Sequence, residues 1–255
     1  MKMNMKHISG ALIGALIGTV SPFALADNLS VKTGYDYSVG KYGTDIETEI
    51  TSIPFILNYE TGDWTFKASV PYVRIEGADN VRSGVGAVSS NASSVRSASG
   101  LGDLTLSAIR TYFLDNQTGL DLTGKVKLGT GDSEKGLSTG ENDYWLMADV
   151  YRKIGSITYF GGVGYGMLGD SPELQLKNVF STNLGASYRL TDVSSFGATF
   201  DTRTKATNRG SSQREVTAFY MHNLGGGYKL QAYALKGFAD GSPDWGGGLN
   251  IGYNY

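Results

Sequence analysis

The sequence predicts an all-β fold, a transmembrane antiparallel up-and-down β-barrel of about 12 strands. Three observations carry that expectation. Successive stretches alternate apolar and polar residues with period two. The connections between them alternate between short and long. The last stretch, Trp245 to Tyr255, sets aromatic residues at both ends of one apolar face.

The alternation is clearest between Gly119 and Tyr151. Leu120, Leu122, Val126 and Leu128 fall on one side of an extended chain, with Gly124 among them, while Asp121, Thr123, Lys125 and Lys127 fall on the other. A polar stretch follows, and a second run then places Tyr144, Leu146, Ala148 and Val150 opposite Asp149 and Lys153. A soluble sheet with one face on a core would read this way. So would a membrane barrel with its apolar face on lipid and its charges in a lumen.

The N-terminus separates the two. Lys2 and Lys6 precede an apolar run from Ile8 to Val20, and Ala24-Leu25-Ala26 follows. That order is expected of a secretory signal peptide over 1–26, cleaved before Asp27, with 27–255 forming the barrel. The alternative, an anchor helix, needs a longer run than one closed off by Pro22. The chain has no Cys, so neither a lipoprotein anchor nor a disulfide framework is available to it. Past residue 26 no apolar run reaches helix-spanning length. A net charge of −2 leaves no basic footprint for nucleic acid.

Strands are expected near 28–40, 44–60, 63–75, 102–113, 119–129, 143–154, 157–168, 178–190, 195–204, 213–223, 227–238 and 244–255. Most match the ~9–11 residues of a tilted membrane strand. Glu60-Thr61-Gly62, Gly155-Ser156, Thr191 to Ser194 and Gly225-Gly226-Gly227 are short turns, expected on the periplasmic side, where both termini would also lie. The longer connections, 76–101, 130–142, 169–177 and 205–212, belong outside. In the last strand Trp245, Gly247, Leu249, Ile251, Tyr253 and Tyr255 share a face, and ten residues at ~3.3 Å tilted by ~40° rise roughly 25 Å, the height of an apolar band. Strand 44–60 breaks phase at Ile53-Pro54, which reads as a bulge and places Glu47 and Glu49 inward.

Parity then names candidates for the lumen wall: Asp121, Lys125, Lys127, Trp145, Met147, Asp149, Tyr151, Phe160, Gly164, Arg189, Asp201 and Arg203. Eight inward bases against seven inward acids give no dominant sign. Gly155-Ser156 reads as a two-residue hairpin turn, which pairs Tyr151 with Phe160, Asp149 with Gly162, Met147 with Gly164 and Trp145 with Gly166. Aromatics laid over facing glycines would shield backbone and pin register; an apolar strip beside small residues would admit an aromatic solute. Packing is the better account. The stretch 76–101, rich in Ser, Gly, Ala and Asn, reads first as a mobile surface loop and second as a constriction folded into the lumen.

No catalytic, cofactor or metal site is expected. After residue 26 the single His is His222, placed at a barrel rim far from the outer loops. Asp132, Glu134, Glu141 and Asp143 could offer oxygens to Ca²⁺, but their spacing fits no EF-hand loop.

Two motifs carry a family resemblance. Ser99-Gly100-Leu101-Gly102-Asp103-Leu104-Thr105-Leu106 resembles the "GlGDl.l" strand start of an outer-membrane family associated with meta-pathway phenol degradation. Lys125 to Asp132 and Leu137 to Tyr144 resemble that family's "lk.PtGd … stG..dy" hairpin, with Gly129 in place of Pro. The resemblance implies an outer-membrane transporter of small, often aromatic, compounds and transfers no site residue. The expectation is therefore a monomeric, non-enzymatic Gram-negative outer-membrane channel whose partners are membrane lipid and a small solute. The alternative is a structural or surface-interaction barrel with a closed lumen.

Overall fold

The computed structural model describes residues 28–87, 94–170 and 174–255, so the expected signal segment lies outside the described residues. Fifteen strands follow in order. The first group is β1 (Asn28–Gly40), β2 (Thr48–Thr61), β3 (Trp64–Ala78), β4 (Val81–Arg82) and β5 (Gly86–Ala87). Next come β6 (Val95–Leu101), β7 (Leu104–Phe113), β8 (Thr118–Leu128), β9 (Asp143–Ile154) and β10 (Ile157–Met167). The last are β11 (Val179–Arg189), β12 (Ser194–Arg203), β13 (Gln213–Gly225), β14 (Tyr228–Gly237) and β15 (Trp245–Asn254).

These make a closed antiparallel barrel of twelve strands. β6 and β7 both pair with β3 and act as one strand broken at Gly102-Asp103. β4 and β5 form a separate small hairpin. Every other strand pairs with its sequence neighbours, and β1 closes the ring on β15 from Ser30↔Asn254 to Val39↔Trp245. A ring leaves no edge strand to manage.

The exterior is apolar where the interior is not. Leu146 is 63% exposed and Leu184 67%, and Phe55, Leu57, Val163, Phe200 and Ile251 also face outward. A band of large exposed apolar side chains round a closed ladder is a lipid-facing surface. Aromatic residues crowd the short-turn rim: Tyr228 and Tyr253 lie 4.8 Å apart between ring centroids, and Tyr188 and Phe196 5.7 Å. The turns there are tight. Ile154 pairs with Ile157 across Gly155-Ser156, with Gly155 at φ 62°, a conformation that costs glycine no Cβ clash.

The expected bulge in β2 is absent. β2 keeps one register with β1 from Asn28↔Glu60 to Gly40↔Thr48, and one with β3 from Glu49↔Glu76 to Thr61↔Trp64, where Pro54 faces Pro71. The alternation was blurred because β2 carries apolar residues on both faces. Ile50 and Ile56 point inward, and Ile50 lies beneath loops that fold into the barrel. Glu49 consequently falls on the outer face, opposite Glu76, which pairs with Arg74, and Glu47 lies exposed in the connection before β2.

Candidate functional site

The barrel interior has three levels. The first is the mouth at the long-loop end. The hairpin β4–β5 turns inward across it, with Val81 fully buried. Val85 packs with Trp145, Leu168, Leu176, Val179 and Ala206. Arg203 reaches it from the opposite wall and donates through Nη1 to Gly84 O and through Nη2 to Val85 O, both at 2.8 Å. The second strand group's loop, 129–142, also folds in, setting Leu137 against Val73 and Ile75. Arg96 ties the two together by donating to Val81 O, Lys135 O and Gly136 O. Of the two readings of 76–101, residues 79–87 take the inward one, while β6 extends the wall against β3 and residues 88–93 lie outside the described residues.

The second level is a set of aromatic rings, each opposite a glycine. Tyr151 faces Gly119, Trp145 faces Gly166, Phe160 faces Gly185, Phe219 faces Gly197 and Tyr233 faces Gly248. A Cβ at any of these five glycines would come within 2.2 to 2.7 Å of the facing ring. The rings therefore lie flat on neighbouring backbone, where a larger residue cannot fit. Tyr151, Phe160, Phe219 and Met221 form one buried cluster with Tyr233 against it.

The third level is charge. Lys125 Nζ stands 4.6 Å from the centroid of the Trp145 ring, a cation–π contact. Lys127 Nζ lies 3.2 Å from Asp103 and 2.8 Å from Asp143. Asn183 Nδ2 donates to Asp149 at 2.8 Å, and Thr111 donates to Asp121 at 2.7 Å.

Of the twelve wall candidates, Asp121, Trp145, Asp149, Tyr151, Phe160, Gly164 and Arg203 are buried on the inner face. Lys125, Lys127, Met147 and Asp201 are half-buried there. Arg189 is exposed at the end of β11, on the rim. The register counted back from Gly155-Ser156 is the register found. Parity reasoning missed the mouth residues Val85, Leu137, Leu168 and Leu176, because loop residues carry no period. It also missed Gln213, Glu215, Phe219 and Tyr233. Their signal was readable only by aligning each strand with its neighbour, since β13 has apolar residues on both faces.

The motif residues converge on the same end. Asp103 accepts from Gly131 N at 2.9 Å while pairing with Lys127, Gly129 N donates to Asn142, and Gly169 N donates to Asp143. They brace the base of the long loop. Elsewhere in that loop, the backbone N–H and the ammonium of Lys135 hold the Asp132 carboxyl below its usual range. Among the described residues no three His, Cys, Asp or Glu side chains gather as metal ligands. His222 Nδ1 lies 2.8 Å from Ser194 Oγ, but on the outer face beside Tyr220.

No protein-family model matches the chain, and no curated protein matches it. Solved structures do. The KdgM porin in complex with disordered oligogalacturonate gives a TM-score of 0.56 at 6% identity, over 88% of this chain and 98% of that one. The translocator domain of autotransporter NalP from Neisseria meningitidis gives 0.53 at 13%, over 91% and 89%. The NanC porin gives 0.51 at 10%, over 88% and 97%. At such identities the likeness is one of fold, and that fold serves both porins and a translocator. The resemblance to the meta-pathway family rests on its two motifs.

Proposed function

We propose that the chain is an outer-membrane channel through which small solutes pass passively, without catalysis. The observation that carries this is the contrast between the two faces of one closed wall. Outside, the strands present apolar side chains to lipid. Inside, they present charged and hydroxyl side chains, Asp121, Thr123, Lys125, Asp149 and Thr199 among them. Small polar or charged solutes suit this wall better than the aromatic compounds the motifs suggest, because five of its inner aromatics are already seated on glycines. Residues 1–26 supply the export signal and the barrel supplies the anchorage, as a monomer.

The inward hairpin β4–β5 favours a second reading, a structural or surface-interaction barrel closed at its mouth. Purified protein in planar bilayers and in liposomes tests the two. Discrete conductance steps together with uptake of small sugars are expected. Folded, inserted protein that neither conducts nor admits solute would replace the channel with the closed barrel.

A further inference from the structure

One row of the inner wall collects carboxylates from four strands. Asp121 on β8, Asp149 on β9, Gly162 on β10, Asn183 on β11, Asp201 on β12 and Glu215 on β13 are successive cross-strand partners. Asp121 stands near the short-turn end of β8 and Glu215 near the long-loop end of β13. Rows run across tilted strands, so with strands ~4.8 Å apart and a tilt of ~40°, five steps climb roughly 15 Å. That is more than half of an apolar band ~25 Å tall.

The Arg203 charge acts on Glu215 at the end of this row, but without contact. Among the described residues, none of its four carboxylates forms an ion pair. Their donors are neutral: Thr111 for Asp121, Asn183 for Asp149, and Thr199 for Asp201 at 2.5 Å. Four interior cations have contacts outside the row. Lys127 lies between Asp103 and Asp143, Arg203 holds the hairpin, Lys32 donates to Gln231 and Lys125 sits over Trp145. Asp121 directly opposes Asp149, and Asp201 directly opposes Glu215. Like charges so placed destabilise a sheet unless something positive comes between them.

Two neutral side chains point to what that is. Thr123 and Gln213 lie on the same inner face, two residues along from Asp121 and Glu215, at opposite ends of the row. They are 5% and 2% exposed. Thr123 Oγ1 and Gln213 Oε1 have no hydrogen-bond partner among the described residues. Gln213 Nε2 donates to Gly241 O at 3.1 Å, which fixes the amide and leaves its oxygen as an acceptor. Buried oxygens left open beside carboxylates call for a ligand that donates.

We propose that this row is a binding track for small solutes carrying a protonated amine, a specificity that rests on the channel reading above. An ammonium group has three N–H donors and no acceptor, so it can bridge a pair of opposed carboxylates. Successive carboxylates let it pass from one pair to the next without full rehydration. Several weak sites in series permit both entry and exit.

The test uses the full-length protein in potassium-loaded proteoliposomes with valinomycin, so that charge moves freely. Labelled glucosamine at mildly acidic pH is compared with glucose, which has a hydroxyl in place of the amine. Glucosamine uptake should be several-fold faster. In the Asp149→Asn/Asp201→Asn variant the glucosamine-to-glucose ratio should fall to near parity, and Glu215→Gln should move it part of the way. Heat-modifiable gel migration verifies folding, and if the double variant does not fold, Glu215→Gln decides alone. A wild-type ratio at or below parity, or one the substitutions leave unaltered, overturns the track while glucose uptake still upholds the channel. No uptake of either sugar overturns both.

Discussion

Arg203→Met should loosen the hairpin from the mouth. Arg203 is 5% exposed and donates to Gly84 O and Val85 O at 2.8 Å each. Hydrogen bonds from a charged donor contribute ~1.5–3 kcal/mol apiece, so the pair is worth roughly 3–6 kcal/mol before costs. Arg203 Nε has no hydrogen-bond partner among the described residues and the charge is buried, which offsets part of that gain and leaves about 2–3 kcal/mol holding the loop. At 1.4 kcal/mol per factor of ten, the docked-to-undocked ratio should fall by about thirty- to a hundred-and-fifty-fold. Val85 keeps its apolar contacts, worth about 1.5–2 kcal/mol, so the hairpin should exchange between positions instead of leaving. Single-channel recording should show longer and more frequent visits to a higher conductance level. Arg203→Lys should fall between, because one ammonium lacks the planar fork that meets two carbonyls. Unchanged levels and dwell times in folded Arg203→Met protein would refute the tether.

Gly185→Val should cost roughly 1–3 kcal/mol in a denaturant titration, since a Cβ there would lie 2.5 Å from the Phe160 ring and 2.6 Å from Ala198 O; a variant as stable as the parent would show that the rings can move aside. Unheated protein should migrate differently from boiled protein on SDS gels, because a closed ladder resists the detergent; identical migration and solubility without detergent would remove the membrane barrel. Mass spectrometry of the exported protein should find Asp27 at the N-terminus, and retention of the apolar run would argue for an anchor.

Strand number and facing were legible because both depend on period two, which lipid on one side and polar groups on the other enforce. β1 and β9 begin and end where the alternation says they do. The pairing of β9 with β10 could be counted because a two-residue turn leaves one register open. β2 was misread where loops fold over its inner face and make both faces apolar. The mouth was hidden because Val81, Val85 and Leu137 are buried by tertiary contacts that leave no mark on their sequence neighbours. The charges were counted as eight bases against seven acids, but Glu47, Glu49 and Arg189 do not line the wall and Glu215 does, and no such count says which share a row. Asp121, Asp149, Asp201 and Glu215 align only after five separate pairings are known.

The seam between β1 and β15 has a consequence for how the chain assembles. Asp36 and Asn250, 214 positions apart, come within hydrogen-bonding distance there. Bringing such distant segments together carries a loop-closure penalty before the seam returns any contact energy. High contact order of this kind slows folding. Until the seam forms, the sheet presents two raw edges that can pair with other chains. Once it has formed, unfolding has no free strand to peel from and must first rupture an entire ladder. The same join that makes assembly slow and aggregation-prone thus makes the finished molecule kinetically persistent.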